Sequence, residues 1–108
     1  MGRTYIIIRT SFEALHHWPD CPFEDVDFLR SPHRHIFHVE VKIETFADRG
    51  IEFIRHKRFV DALIDDWYRG KNLGPKSCEV IAQELAEKLE ASSVIVWEDL
   101  ENAGIYEA

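Results

Sequence analysis

The chain has 108 residues, 45% of them hydrophobic, which is enough for one domain, residues 1–108, with a real core. A formal net charge of −7 excludes a binder of nucleic-acid backbones, which needs clustered Lys and Arg; the short Arg55–Arg58 run reads as an exposed helix start. No apolar run is long enough to span a bilayer and no secretory leader is legible, so the expectation is a cytoplasmic protein with no membrane partner.

Tyr5 to His16 reads as a strand with Ile6, Ile8, Thr10, Phe12, Ala14 and His16 on one face. His17 to Pro32 is a long connection holding three prolines and the acidic set Asp20, Glu24, Asp25 and Asp27, a length at which loops are often functional. Arg34 to Thr45 is a second strand, led in by His33. His33, His35, Phe37, Val39, Val41 and Ile43 share one face, and Arg34, Ile36, His38, Glu40, Lys42 and Glu44 the other. Phe53 to Arg69 has helical spacing at Phe59, Val60, Leu63, Ile64 and Trp67, with Gly70 as a C-cap; His56, near its start, is expected to be solvated. Ser77 can cap a second helix with Glu79 in its first turn, Ile81, Leu85 and Leu89 inward, and Glu84–Lys88 as an i,i+4 pair. Val94 to Trp97 and Gly104 to Tyr106 read as two short strands. The order ββααββ predicts an α+β fold, a four-stranded antiparallel sheet with both helices on one face. The far face and the edges need cover, which oligomerisation supplies economically.

Five of the six histidines fall between His16 and His38. His33 and His35 point the same way, about 6.6 Å apart at the ~3.3 Å rise of a strand, a spacing from which two ring nitrogens can reach one zinc. In an antiparallel pair the end of the first strand meets the start of the second, which places His16 beside them. Three ligands and one open position form the arrangement of a catalytic zinc. Half-buried histidines bonded to backbone or carboxylate are the ordinary alternative. His17 and His38 lie on the opposite parity and read as surface residues or as partners of the ligands. Cys21 and Cys78 make neither a disulfide framework nor a zinc ribbon.

With these residues in view the chain resembles the 6-pyruvoyl-tetrahydropterin synthase family, which includes 6-carboxytetrahydropterin synthase. The family's F-x-A-x-H is met by "FEALH" (Phe12 to His16) and its H-G-H by "HRH" (His33 to His35). Its I-D-F is met by "IEF" (Ile51 to Phe53), its second-helix motif by "PKSCEVIA" (Pro75 to Ala82), and its C-terminal motif by "VIVWEDLENAGIY" (Val94 to Tyr106). The resemblance implies the tunnelling fold, trimers stacked into hexamers with sites between subunits, and zinc on His16, His33 and His35. It implies that Glu98 anchors the pterin, accepting two parallel N–H bonds as it would from a guanidinium. Glu79 matches a second substrate-binding glutamate, a role that competes with simple complementation of the helix dipole. The implied activity is a zinc-dependent lyase acting on the side chain of 7,8-dihydroneopterin triphosphate, a small-molecule pterin.

The chain departs from the family in its catalytic groups. The family's base is a cysteine shortly before H-x-H, where this chain has Asp27 to Ser31. Asp27, or Cys21 carried inward by its loop, is left to act as the base. The family's Asp-His pair after the first helix is replaced by Asp65-Asp66. Three expectations therefore stand side by side: a pterin lyase with an unusual base, a zinc- and pterin-binding protein without synthase activity, and a structural zinc domain.

Overall fold

The computed structural model describes residues 2–108. The elements run β1 (Thr4–His16), a 3₁₀ helix (Glu24–Arg30), β2 (His33–Thr45), α1 (Phe53–Trp67), α2 (Cys78–Leu89), β3 (Ser93–Glu98) and β4 (Asn102–Glu107). The four strands form one antiparallel sheet in the order β1-β2-β3-β4. α1 packs on β1, and α2 on β3 and β4, so both helices cover the same face as the alternation predicts.

That face is the core. Phe12 and Phe37 are register partners and stack with ring centroids 5.2 Å apart; Val39, Val41, Val94 and Val96 continue the apolar stripe. Val60, Ile64, Ile81 and Leu85 close over it from the helices and are fully buried. Fully burying an aliphatic side chain contributes roughly 1.5–3 kcal/mol each, so this layer dominates the stability of so short a chain. The opposite face keeps Ile7, Leu15, Ile36 and Ile105 exposed.

Several local readings change. The 17–32 connection contains a 3₁₀ helix. The Trp18 N–H donates to the Leu29 carbonyl at 2.6 Å, the Arg30 guanidinium donates to the Cys21 carbonyl at 2.9 Å, and the 3₁₀ turns lie between. α1 ends with Tyr68 as its C-cap, two residues before Gly70; Gly70 instead takes φ +74° and turns the chain back, donating its N–H to the Glu13 carbonyl. Residues 71–74 then run beside the end of β1, where Leu15 N–H meets the Lys71 carbonyl and Leu73 N–H the Leu15 carbonyl. Glu84 pairs with Lys76 at 3.0 Å and accepts the Tyr68 hydroxyl at 2.9 Å, while Lys88 sits 4.1 Å above the Trp67 ring, so the Glu84–Lys88 pair does not form. His56 is half-buried with Nε2 lacking a partner, and burial lowers its pKa.

Candidate metal centre and cleft

The register of β1 and β2 sets His16 opposite His33 and Ala14 opposite His35. All three imidazoles project to the helix side at one end of the sheet, with ring centroids 4.6–5.2 Å apart. β3 ends beside them, because Glu98 is the register partner of Phe37. The chain then reverses through Asp99 and Leu100, both at positive φ (50° and 62°), and the Glu101 N–H closes the turn on the Glu98 carbonyl. Two positive-φ residues at the centre are the signature of the hairpin turn that matches strand twist, and here neither is glycine.

Each histidine is tied down through Nδ1. His16 Nδ1 donates to the Lys76 carbonyl at 2.8 Å, His33 Nδ1 to the Ser31 carbonyl at 2.9 Å, and His35 Nδ1 to Asp99 Oδ2 at 2.6 Å. Carbonyl and carboxylate oxygens only accept, so the proton of each neutral ring sits on Nδ1 and leaves Nε2 as a lone-pair donor. The Nε2 atom of His33 is buried with no hydrogen-bond partner, and that of His16 is buried with Glu98 as its only neighbour of that kind. Glu98 Oε2 stands 2.8 Å from His16 Nε2 and 3.3 Å from His35 Nε2. Four ligand atoms, one from each of His16, His33, His35 and Glu98, lie within 4.8 Å of one another.

This donor set fits zinc. Buried lone pairs facing each other and a carboxylate oxygen repel unless a cation lies among them, and imidazole with carboxylate is a donor set zinc takes readily. Fixing the tautomer through the far ring nitrogen is the usual way a protein presents histidine to a metal. Asp99, unassigned from sequence, performs this for His35 and also accepts the Ile36 N–H through Oδ1 at 2.9 Å. Protons compete for the same atoms. Burial disfavours the charged form of His16, but the Glu98 carboxylate and the Lys76 carbonyl outweigh it and raise the pKa. Glu98 is held below the usual carboxylate range, first by His16, against burial, and then by His35 and His33.

His16, His33 and Glu98 of the centre line a cleft of about 460 Å³, together with Trp18, Leu29, Ser77, Cys78, Glu79 and Gly104. The start of α2 forms one side, with Ser77 accepting the Val80 N–H as N-cap. It comes close because residue 104 is glycine: a Cβ there would stand 2.9 Å from the Glu79 nitrogen. Burial, and then the charges of Glu98 and Glu79, push the Cys78 thiol up to about 12, so at neutral pH it is no base.

The structure thus brings together His16, His33, His35 and Glu98 and places Glu79 in the same cleft. Cys21 and Asp27 are not among the residues lining it. Cys21 is buried at 3% exposure, its thiol 3.7 Å from the Phe23 carbonyl and 3.9 Å from that of Val26. Asp27 is exposed on the 3₁₀ helix.

No protein-family model and no curated protein matches the chain. Among solved structures, the chain is similar to Caenorhabditis elegans 6-pyruvoyl tetrahydropterin synthase, with a TM-score of 0.78 and 18% identity over 100% of this chain and 97% of that one. It is also similar to an uncharacterized protein of Wolinella succinogenes, with a TM-score of 0.71 and 15% identity over 99% of each chain. At such identities the likeness establishes architecture, and on that ground the chain has the fold of 6-pyruvoyl tetrahydropterin synthase.

Proposed function

We propose that this protein is a zinc-dependent pterin enzyme, a lyase of the 6-pyruvoyl- or 6-carboxytetrahydropterin synthase kind acting on the side chain of 7,8-dihydroneopterin triphosphate. The observation that carries the reading is the convergence of three Nδ1-anchored imidazoles with Glu98, of which His16, His33 and Glu98 line a cleft of about 460 Å³. Zinc on His16, His33 and His35 would supply a Lewis acid for a side-chain oxygen. Glu98 receives the 2-amino and N3 edge of the ring through two parallel N–H···O bonds, and Glu79, in the same cleft, adds a second acceptor. Trp18 and Leu29 supply apolar wall and exclude water from the ring. For the group that moves the proton we propose Asp27, with Cys21 as the other candidate; either reaches the substrate only if the 17–32 segment shifts. The exposed apolar sheet face supports assembly as a trimer or hexamer, with further groups reaching the cleft from a neighbouring subunit.

Incubating zinc-loaded protein with 7,8-dihydroneopterin triphosphate, and analysing products with and without acetaldehyde release, tests the proposal. Turnover by the wild type and its loss in His35→Ala are expected. No turnover by zinc-loaded oligomer would count against the enzyme.

A second reading has its own support: Cys21 is turned onto its own loop carbonyls and Asp27 lies outside the cleft wall. On that reading the chain binds zinc and pterin without synthase activity. Calorimetry would then detect pterin binding that Glu98→Gln abolishes, in the absence of any product.

A further inference from the structure

The position of Glu98 carries more than a role in holding the ring. An incoming heterocycle needs both carboxylate oxygens of Glu98 for a two-bond fork. With the cleft empty, one of those oxygens is instead 2.8 Å from His16 Nε2 and 3.3 Å from His35 Nε2. Donor atoms around a tetrahedral zinc with bonds of ~2.0–2.1 Å stand about 3.3–3.4 Å apart. The His35 distance matches that spacing, the His16 distance is shorter and would open by about half an ångström around an ion, and Glu98 itself lines the cleft. Its backbone is fixed there by the Phe37 register and the Asp99–Leu100 turn, while its side chain has room on the cleft side.

The geometry points to Glu98 as the fourth zinc ligand of the ligand-free protein, exchanged off the metal when a pterin ring engages its carboxylate. The inference rests on the proposed zinc and pterin chemistry and adds a gate to it. The coordination position needed for a substrate oxygen opens only when the ring is bound. With the cleft empty, His16, His33, His35 and Glu98 would together hold the ion. No bond within the ring or its side chain changes in this step. The Glu98 carboxylate would exchange its contact with the ion for two N–H···O bonds from the ring, leaving His16, His33 and His35 to hold the ion beside a ligand oxygen.

Two measurements on the full-length protein test the gate without using turnover. The first is zinc affinity by chelator competition with no pterin present. Glu98→Gln should bind zinc roughly 10-fold or more weakly than wild type, and equal affinities in a variant with wild-type circular dichroism would overturn the proposal. The second needs no variant: the visible d–d spectrum of the cobalt(II)-substituted wild type is followed while 7,8-dihydropterin, which lacks the side chain, is added under calorimetry. A changed cobalt spectrum in step with ring binding is expected, and ring binding that leaves the spectrum untouched would overturn the proposal even if Glu98→Gln fails to fold. If the ring does not bind at all, the pterin reading falls, and the zinc affinities still decide whether Glu98 is a ligand.

Discussion

Asp99 shows how much of a candidate metal centre is built by residues outside its ligand set. Its Oδ2 fixes the His35 ring and its Oδ1 holds the Ile36 N–H, so one side chain ties the β3–β4 turn to the start of β2. Asp99→Asn replaces an accepting carboxylate with an amide that can present the wrong tautomer to His35. Zinc affinity by chelator competition should fall about 10–100-fold with the fold retained; an unchanged affinity would mean that packing alone orients the ring. His16 and Glu98 make a second prediction, about the protein stripped of metal. The pKa of His16 is raised, so its contribution to stability is complete below the unfolded imidazole value, 6.5, and is lost as pH rises through the folded value. The pKa of Glu98 is lowered, so its contribution is present above the unfolded value, 4.5, and is lost as pH falls through the folded one. Chelator-treated wild type should therefore gain most over Glu98→Gln between about pH 4.5 and 6.5, read as the difference in Tm, and less on either side. Parallel Tm profiles would show that the pair contributes nothing.

At the scale of elements, the cleft depends on how closely α2 approaches β4. Gly104 permits that approach: a methyl group there would come within 2.9 Å of the Glu79 nitrogen, 3.1 Å of the Cys78 carbonyl carbon and 3.1 Å of Glu79 Cγ, two of the three being backbone that cannot rotate away. Gly104→Ala should cost about 1–3 kcal/mol in chemical denaturation and displace the start of α2. A variant as stable as wild type would mean that the helix shifts freely, and that the cleft wall is soft. Much of this layer is legible in the sequence. Strict alternation from His33 to Ile43 gives β2 and its buried face, and antiparallel pairing then brings His16 to His33 and His35. The 3₁₀ helix at Glu24–Arg30 leaves no such trace, because short turns have no hydrophobic period and its acids, with Pro22 before it and Pro32 after it, read as loop. Asp99 is hidden for a related reason: its role depends on a positive-φ turn that no glycine or asparagine announces. The Lys76 and Ser31 carbonyls that hold His16 and His33 are backbone atoms, to which side-chain identity is no guide. Glu84 looks like a partner for Lys88, yet Lys76 and the Tyr68 hydroxyl reach it from elsewhere in the chain.

For the whole molecule, the sheet that builds the site leaves a face uncovered. Ile7, Leu15, Ile36 and Ile105 are each more than a third exposed there, and β1 and β4 are its edge strands. Light scattering should therefore give a mass of three or six chains, and a stable monomer at micromolar concentration would remove the neighbouring subunit from the proposed site. The proposed chemistry rests on the three imidazoles. The direct test is the zinc K-edge X-ray absorption of dialysed, zinc-loaded protein. One zinc per chain, with a first shell of about three ring nitrogens and one oxygen at ~2.0–2.1 Å and multiple scattering typical of imidazole, is the result expected. Zinc lost on dialysis, or a shell containing sulfur or oxygen alone, would contradict the metal centre.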